Sequence, residues 1–239
     1  MIVDGINVVR ELLNADCWID KIVAEDNGNR DILSLVDRAR AKGIKVEVLS
    51  KVDYDKRVKT KNQGIMAYVP NFKYCEVKDI LLEAKRREEK PFIVILDGIS
   101  DPHNLGAIIR TSECAGVHGV IIPGNRACEV TDTVYRTSAG AVTHMKVAMV
   151  TNLTRTIKEL KEQGVWIYAL EAGNKKLYKA DFTYPTALVI GSEGKGVSRL
   201  VRENVDEVLS LDMFGKVNSL NASNAGAIAI YEVVRQRSR

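Results

Sequence analysis

GKVNSLNASNAGAIAIYE, residues 215–232, decides how this chain must be read. Most of it has to become a helix: Ala222, Ala225, Gly226 and Ala229 recur at helical spacing and leave one face nearly free of side chains. Ahead of that helix stand Asn218, Ser219, Asn221 and Ser223, four polar residues in six. A helix start offers unpaired backbone N–H groups, and Ser or Asn placed there ordinarily caps them. Two readings of the stretch stay open. One is a well-capped helix packed on a sheet. The other is a ligand loop held against the start of a tightly packed helix, since four such residues exceed what capping needs.

Working outward, the helix closes a segment in which apolar strands alternate with helical patterns. FIVIL (92–96) is a continuous apolar run of the kind found in sheets covered on both faces. GVIIP (119–123), VWIYAL (165–170), ALVIG (187–191) and EVLSL (207–211) read as further strands, with helices near 103–115, 152–163 and 219–236. This alternation predicts a parallel sheet with helices on both sides. Ligands of such sheets gather beyond the strand C-terminal ends, which points at Leu170–Glu171, Gly191–Gly196 and Leu211–Gly215.

The first part of the chain predicts a smaller α/β unit. Helices are expected over 4–13 and 29–42, and strands over 19–24, 44–49 and 64–70. Residues 1–76 are taken as one domain, 77–90 as a charged helical connector and 91–239 as the second domain. A chain of 239 residues with 46% hydrophobic side chains suits one or two domains with a real core. No early segment resembles a signal peptide, and no apolar run is long enough for a bilayer. Cys17, Cys75, Cys114 and Cys128 form no CxxC pair, and His103, His118 and His144 lack metal-ligand spacing. A cytoplasmic protein without a metal is the expectation.

The net charge of +4 is unevenly spread. Residues 1–37 hold three basic and eight acidic side chains, whereas residues 38–61 hold nine basic and three acidic. That swing suits either an ordinary solvated surface or one that meets phosphates.

LVIGSEGKGVS (188–198) is not a P-loop, because Val197 stands where the lysine belongs, and its glycine spacing is not that of a dinucleotide fold. Its glycines still permit a sharp turn and a close backbone approach, and they hold Glu193 inside a tight loop. In DPHNLGAIIRTSECAG (101–116), Asp101 and Pro102 predict a helix start. Leu105, Ile108, Ile109 and Ser112 then share a face, with Arg110 opposite and Asn104 on the flank.

NLGAIIR (104–110), VIGSEGKGV (189–197) and LSLDMFGKVNSLNASNAGAIAIYE (209–232) together resemble the three ordered motifs of the SpoU (TrmH-like) family, RNA ribose 2′-O-methyltransferases of the SPOUT superfamily. GINVVRELL (5–13) and NQGIMA (62–67) resemble segments of the ribosomal-protein-L30e-like substrate-binding domain found in the large-subunit rRNA guanosine members. Two departures stand out: Asn62 where a histidine is frequent, and Asp212 where a proline is usual.

The resemblance implies S-adenosylmethionine as methyl donor, a deep trefoil knot at the C-terminal end and a homodimer. It implies cofactor contacts around Leu170, Gly191, Leu211 and Leu220, made largely by backbone. Arg110 would stabilise developing charge at the reacting hydroxyl, with Asn104, Glu193, Ser219 and Asn221 orienting it and the ribose. Phosphate contacts are expected from the basic stretch, at Arg57, Lys59 and Lys61. The activity implied is methylation of a guanosine 2′-OH in bacterial 23S rRNA. A tRNA ribose methyltransferase, an adenosine-specific resistance methyltransferase and a non-catalytic RNA-binding protein remain as alternatives.

Overall fold

The structure is a computed structural model and describes residues 1–58, 62–125 and 127–238. It divides into two compact units, Met1–Lys73 with Val130–His144, and Tyr74–Glu129 with Met145–Arg239.

The first unit begins β1 (Ile2–Asp4), α1 (Ile6–Asn14), β2 (Lys21–Glu25), α2 (Arg30–Ala41), β3 (Val46–Leu49), α3 (Lys51–Asp55) and β4 (Ile65–Tyr68). Its sheet runs β1-β4-β2-β3, with β4 antiparallel to β1 and β2, and β2 parallel to β3. Each helix buries the stripe its spacing dictates, Val8, Val9, Leu12 and Leu13 on α1 and Ile32, Leu35, Val36 and Ala39 on α2. Tyr54 is buried too, and its hydroxyl donates to Asn62 Oδ1 at 3.0 Å. Asn62 Oδ1 also accepts from the Gly64 amide at 3.0 Å, so this asparagine shapes the turn into β4.

From Tyr74 onward come α4 (Val77–Arg86), β5 (Phe92–Asp97), α5 (Pro102–Cys114), β6 (Gly119–Pro123), α6 (Asp132–Thr137), β7 (Val147–Val150), α7 (Leu153–Glu162), β8 (Trp166–Lys176), β9 (Thr186–Gly191), α8 (Arg199–Arg202), β10 (Glu207–Ser210) and α9 (Ala222–Arg237). Residues 130–144, which carry α6, cluster with the first unit and not with their sequence neighbours. Val134 and Tyr135 are buried there, Tyr135 meets Phe72 edge-on at 6.4 Å, and α6 packs on β1. Gly140, at φ +87°, approaches α1 so closely that a Cβ on it would lie 2.9 Å from the Glu11 Cβ.

The sheet of the second unit is wholly parallel, in the order β10-β8-β9-β5-β6-β7. β5 and β9 sit centrally, which is why both are buried nearly end to end. α4, α7 and α8 contribute Ile80, Leu153, Ile157, Leu160 and Val201 to one core, against alternate strand residues such as Ile93, Ile121, Ile167 and Val189. α5 and α9 pack against each other, and α9 lies on β8 and β9. The small-residue face of α9 makes that approach possible: a Cβ on Gly226 would meet Ile190 Cδ1 at 2.7 Å.

Candidate active site

Three strand ends and the start of α9 enclose a cleft of about 670 Å³ in the second unit. A cleft of this size suits a small organic ligand. Its walls come from Leu170–Ala172 where β8 parts from β10, from Ile190–Gly194 and Gly196 at the end of β9, from Ser210, Leu211 and Met213 at and after the end of β10, and from Asn218–Ala222 with Ala225. All lie at the strand C-terminal ends, where the topology expects a site.

β8 and β10 do not pair smoothly here. Val208 faces Ala169, but the next residue, Leu209, faces Lys175. Residues 170–174 therefore leave the ladder with β10, and Leu170–Ala172 become a wall of the cleft. The opposite wall turns on glycine. After Gly191 the chain folds back, with Ser192 and Gly196 exchanging backbone hydrogen bonds of 3.1 and 2.9 Å. A Cβ on Gly191 would sit 2.2 Å from the Gly196 carbonyl carbon, so no larger residue fits without moving the loop.

Asn104, Glu193 and Asn221, distant in sequence, meet at the rim. The Asn104 amide donates to Glu193 Oε1 at 3.1 Å. The Asn221 amide donates to Asn104 Oδ1 at 3.0 Å and to Glu193 Oε1. Asn221 Oδ1 meanwhile caps α9, accepting from the amides of Ser223 at 2.9 Å and Asn224 at 3.3 Å. Asn221 thus does more than cap: one end of its side chain caps the helix and the other joins the loops. Asn218 and Ser219 line the cleft, and their side chains make no hydrogen bond among the described residues.

Leu170, Gly191, Leu211 and Leu220 all line this one cleft, together with Glu193, Ser219 and Asn221. Asn104 is buried behind the rim. Arg110 stands apart. It is six residues along α5 from Asn104, about 9 Å at 1.5 Å per residue, exposed and not among the cleft-lining residues. Among the described residues it makes no hydrogen bond or ion pair. At Asp212, where a proline was expected to shape the loop, an ion pair with Lys176 Nζ at 2.6 Å ties the loop after β10 to the end of β8. One further cleft residue had only its position flagged by the sequence, at the end of a strand. Glu171 Oε2 is fully covered and accepts no hydrogen bond.

In the first unit, much of the positive charge of residues 38–61 meets carboxylates. Arg40 faces Asp37 at 3.8 Å, Lys56 faces Asp53 at 2.9 Å, Lys42 pairs with Asp16 and Arg57 with Glu47. The hydrogen bond from Arg57, followed by that from Lys21, holds the Glu47 carboxyl below its usual range. Lys59 and Lys61 lie outside the described residues. No group of three His, Cys, Asp or Glu able to hold a metal occurs among the described residues, and no helix among them is long and apolar enough to cross a membrane.

Comparison with known proteins agrees with this layout. The SpoU rRNA methylase family matches residues 91–231, and the family described as RNA 2′-O ribose methyltransferase substrate binding matches residues 2–75. A relative in Bacillus subtilis, named for the TrmH family of tRNA/rRNA methyltransferases, is 42% identical over 236 residues, covering 98% of this chain and 95% of its own. A Staphylococcus saprophyticus relative of the same description is 39% identical over 240 residues, covering 100% and 96%. The SpoU methyltransferase AviRb of Streptomyces viridochromogenes, solved with its cofactor AdoMet, superposes with a TM-score of 0.82 at 23% identity, over 100% of this chain and 90% of that one. The A. aeolicus TrmH/SpoU tRNA modifying enzyme reaches a TM-score of 0.57 at 30% identity, over 66% of this chain and 84% of its own.

Proposed function

The chain belongs to the SpoU rRNA methylase family, and from that premise we propose that it methylates the 2′-OH of a guanosine in 23S rRNA, using S-adenosylmethionine. One observation carries the reading: three motifs separated by up to 117 residues converge at one rim, through the Asn104–Glu193–Asn221 junction beside the cleft. The substrate-binding match over residues 2–75 favours rRNA, since the tRNA modifying enzyme of A. aeolicus covers only 66% of this chain.

The cleft suits the cofactor. Leu170, Ile190, Leu211 and Leu220 give apolar surface for a base, while Glu171 and Ser219 offer polar side-chain atoms that make no hydrogen bond among the described residues. When bound, S-adenosylmethionine supplies an electrophilic methyl group together with its own leaving group, so the protein is left to position the hydroxyl and manage its proton. Asn104 and Asn221 both donate to Glu193 Oε1, which fixes the carboxylate at the rim. Its Oε2 stays available to orient a guanidinium. A guanidinium is an electrostatic group and not a proton acceptor, which leaves Arg110 a charge-stabilising role. It stabilises negative charge gathering on the ribose oxygen and aligns the neighbouring phosphate. Ser219 and Asn221 steady the ribose.

Arg110 acts on the site of a second copy in a homodimer. Its exposure away from its own cleft supports this, as do the exposed apolar side chains of Phe214, Val217, Ile228 and Tyr231 around and along α9. The family's deep knot would form where the segment 211–221 closes over the cleft and leads into α9. Residues 1–76 bind substrate, with Arg57, Lys59 and Lys61 on phosphates, residues 77–90 connect and residues 91–239 catalyse. The protein works in the cytoplasm.

The test is tritium transfer from labelled cofactor to unmodified 23S rRNA and tRNA, followed by mapping of the methylated nucleotide. Label in a 23S guanosine 2′-OH is expected. Label in tRNA alone redirects the substrate, and no label in either favours a binding protein. Arg110→Ala is expected to lower turnover by about a hundredfold or more while cofactor binding persists in calorimetry.

A further inference from the structure

We propose that Glu171 is the cofactor's ribose anchor: its carboxylate accepts hydrogen bonds from the sugar hydroxyls of the bound nucleoside. The proposal rests on the cofactor reading of the cleft and adds a residue that none of the three motifs contains.

The placement of Glu171 is built, not incidental. It belongs to the five residues, 170–174, by which β8 departs from β10. That excursion is packed hard against the sheet, since a Cβ on Gly173 would lie 2.9 Å from the Val208 carbonyl oxygen. From the other wall, the glycine loop closes on the carboxylate. A Cβ on Gly196 would lie 3.0 Å from Glu171 Oε1. Glu171 is thus wedged between the two walls of the cleft, and it is one of the lining residues.

Its oxygens nonetheless accept no hydrogen bond among the described residues. Oε2 is fully covered and accepts no hydrogen bond; Arg202 Nε stands 3.5 Å away, within ion-pair range but not in hydrogen-bonding geometry. Oε1 also accepts no hydrogen bond among the described residues, and it is not sealed from solvent. A covered carboxylate oxygen such as Oε2 ordinarily collects donors, and here the Arg202 ion pair is its one charged neighbour among the described residues. Oε1, open toward the cleft, is the oxygen that a ligand's donors can reach. A ligand that brings donors to Oε1 completes the site.

S-adenosylmethionine carries three kinds of donor. Its ammonium would bring a second positive charge beside Arg202, whose guanidinium already neutralises this carboxylate. The adenine amino group is flanked by ring nitrogens whose lone pairs would face the carboxylate, acceptor against acceptor. The ribose hydroxyls are neutral and adjacent, and they present no such lone pair in the plane of approach. They are the donors that fit.

Calorimetry on the full chain with S-adenosylhomocysteine and its 2′-deoxy and 3′-deoxy analogues tests this. Wild type is expected to bind at least one deoxy analogue about tenfold or more weakly than the parent, because a charged acceptor covered by the ligand loses its donor. Glu171→Ala is expected to bind the parent about 10- to 100-fold more weakly and to bind all three ligands alike. Glu171→Gln keeps the shape, so it carries the test if the alanine variant does not fold, and it is expected to show a smaller loss in the same direction. A variant that binds the parent like wild type, or that discriminates the analogues as wild type does, overturns the proposal while leaving the cofactor reading intact. Wild-type protein that binds no S-adenosylhomocysteine overturns the cofactor reading and this proposal with it.

Discussion

The two rims of the parallel sheet are held in opposite ways, and α9 touches both. At the rim where it begins, loops and glycines form the walls, and among the described residues the side chains of Asn218, Ser219 and Glu171 make no hydrogen bond. At the rim where it ends, side chains saturate the backbone. Arg237 donates to the carbonyls of Phe182 at 3.0 Å, Lys90 at 2.9 Å, Pro91 at 3.1 Å and Tyr184 at 2.6 Å, and lies over the Phe92 ring at 5.2 Å. Gln236 accepts from the Phe182 amide at 2.9 Å and donates to Ala180 at 3.0 Å. Beside them, buried His118 accepts from the Phe92 amide at 3.0 Å and faces Glu89 at 2.9 Å. A second cavity of about 510 Å³ lies there, yet Lys90 and Arg237 in its walls are already engaged, Lys90 with the Thr183 carbonyl at 2.8 Å. The lesson is one of division: a helix anchored firmly at its far end can hold the cleft-lining loop at its capped near end.

The contrast breaks most sharply at Gly191. Gly191→Ala drives a methyl group into the Gly196 backbone, a strain of about 3 kcal/mol. Affinity for S-adenosylhomocysteine is expected to fall by about a hundredfold, read by calorimetry, with the far rim undisturbed. Arg237→Ala tests the opposite rim. Four carbonyls lose a charged donor, a loss of about 2–3 kcal/mol that lowers the melting temperature by about 5–10 °C. Cofactor affinity at low temperature should stay as in wild type; a large loss would mean the rims are not separate.

His118 sharpens the comparison through pH. The Phe92 amide only donates, so Nδ1 must accept, and the proton sits on Nε2 toward Glu89. Burial lowers the pKa of His118, against the opposing pull of Glu89. The native state therefore favours the neutral ring, while the unfolded ring takes up a proton near pH 6.5. Stability from this group is complete above that pH and is lost as pH falls below it. Denaturant unfolding at pH 7.5 and pH 5.5 should show the decline in wild type and a shallower one in His118→Gln. The smallest effect belongs to the open rim. Lys176→Ala removes a partly exposed ion pair from Asp212, worth under about 1 kcal/mol. Cofactor affinity should drop less than about fivefold, and high salt should erase the difference.

Much of this was visible in the order of residues. Strong apolar runs such as FIVIL and ALVIG became the two central strands, β5 and β9, because burial on both faces leaves no polar alternation to blur them. Capped, periodic helices such as α5 and α7 appear within a residue or two of their expected ends. β7, with four residues, carried too short a pattern to be read as a strand, and its hydrogen-bond partners come from β6 on one side and from Cys75 on the other. The charge swing between residues 1–37 and 38–61 also looked larger than it is in space, since Asp16 and Asp37 fold back onto Lys42 and Arg40. Glu171 stood at a strand end like many acids, and nothing local marked its oxygens as lacking hydrogen bonds.

What the residues determined by themselves is what depends on neighbours in the chain: strand and helix periodicity, caps, the sharp turn at the glycines and the small-residue face of α9. Those follow from backbone stereochemistry and from alternation of apolar side chains, which are local. Only the tertiary structure decided that Asn104, Glu193 and Asn221 share hydrogen bonds, that residues 130–144 pack with the first unit, and that Arg237 closes the far rim. Each of these is a meeting of groups tens of residues apart, set by which carbonyl, amide or carboxylate is left unpaired once the sheet has formed.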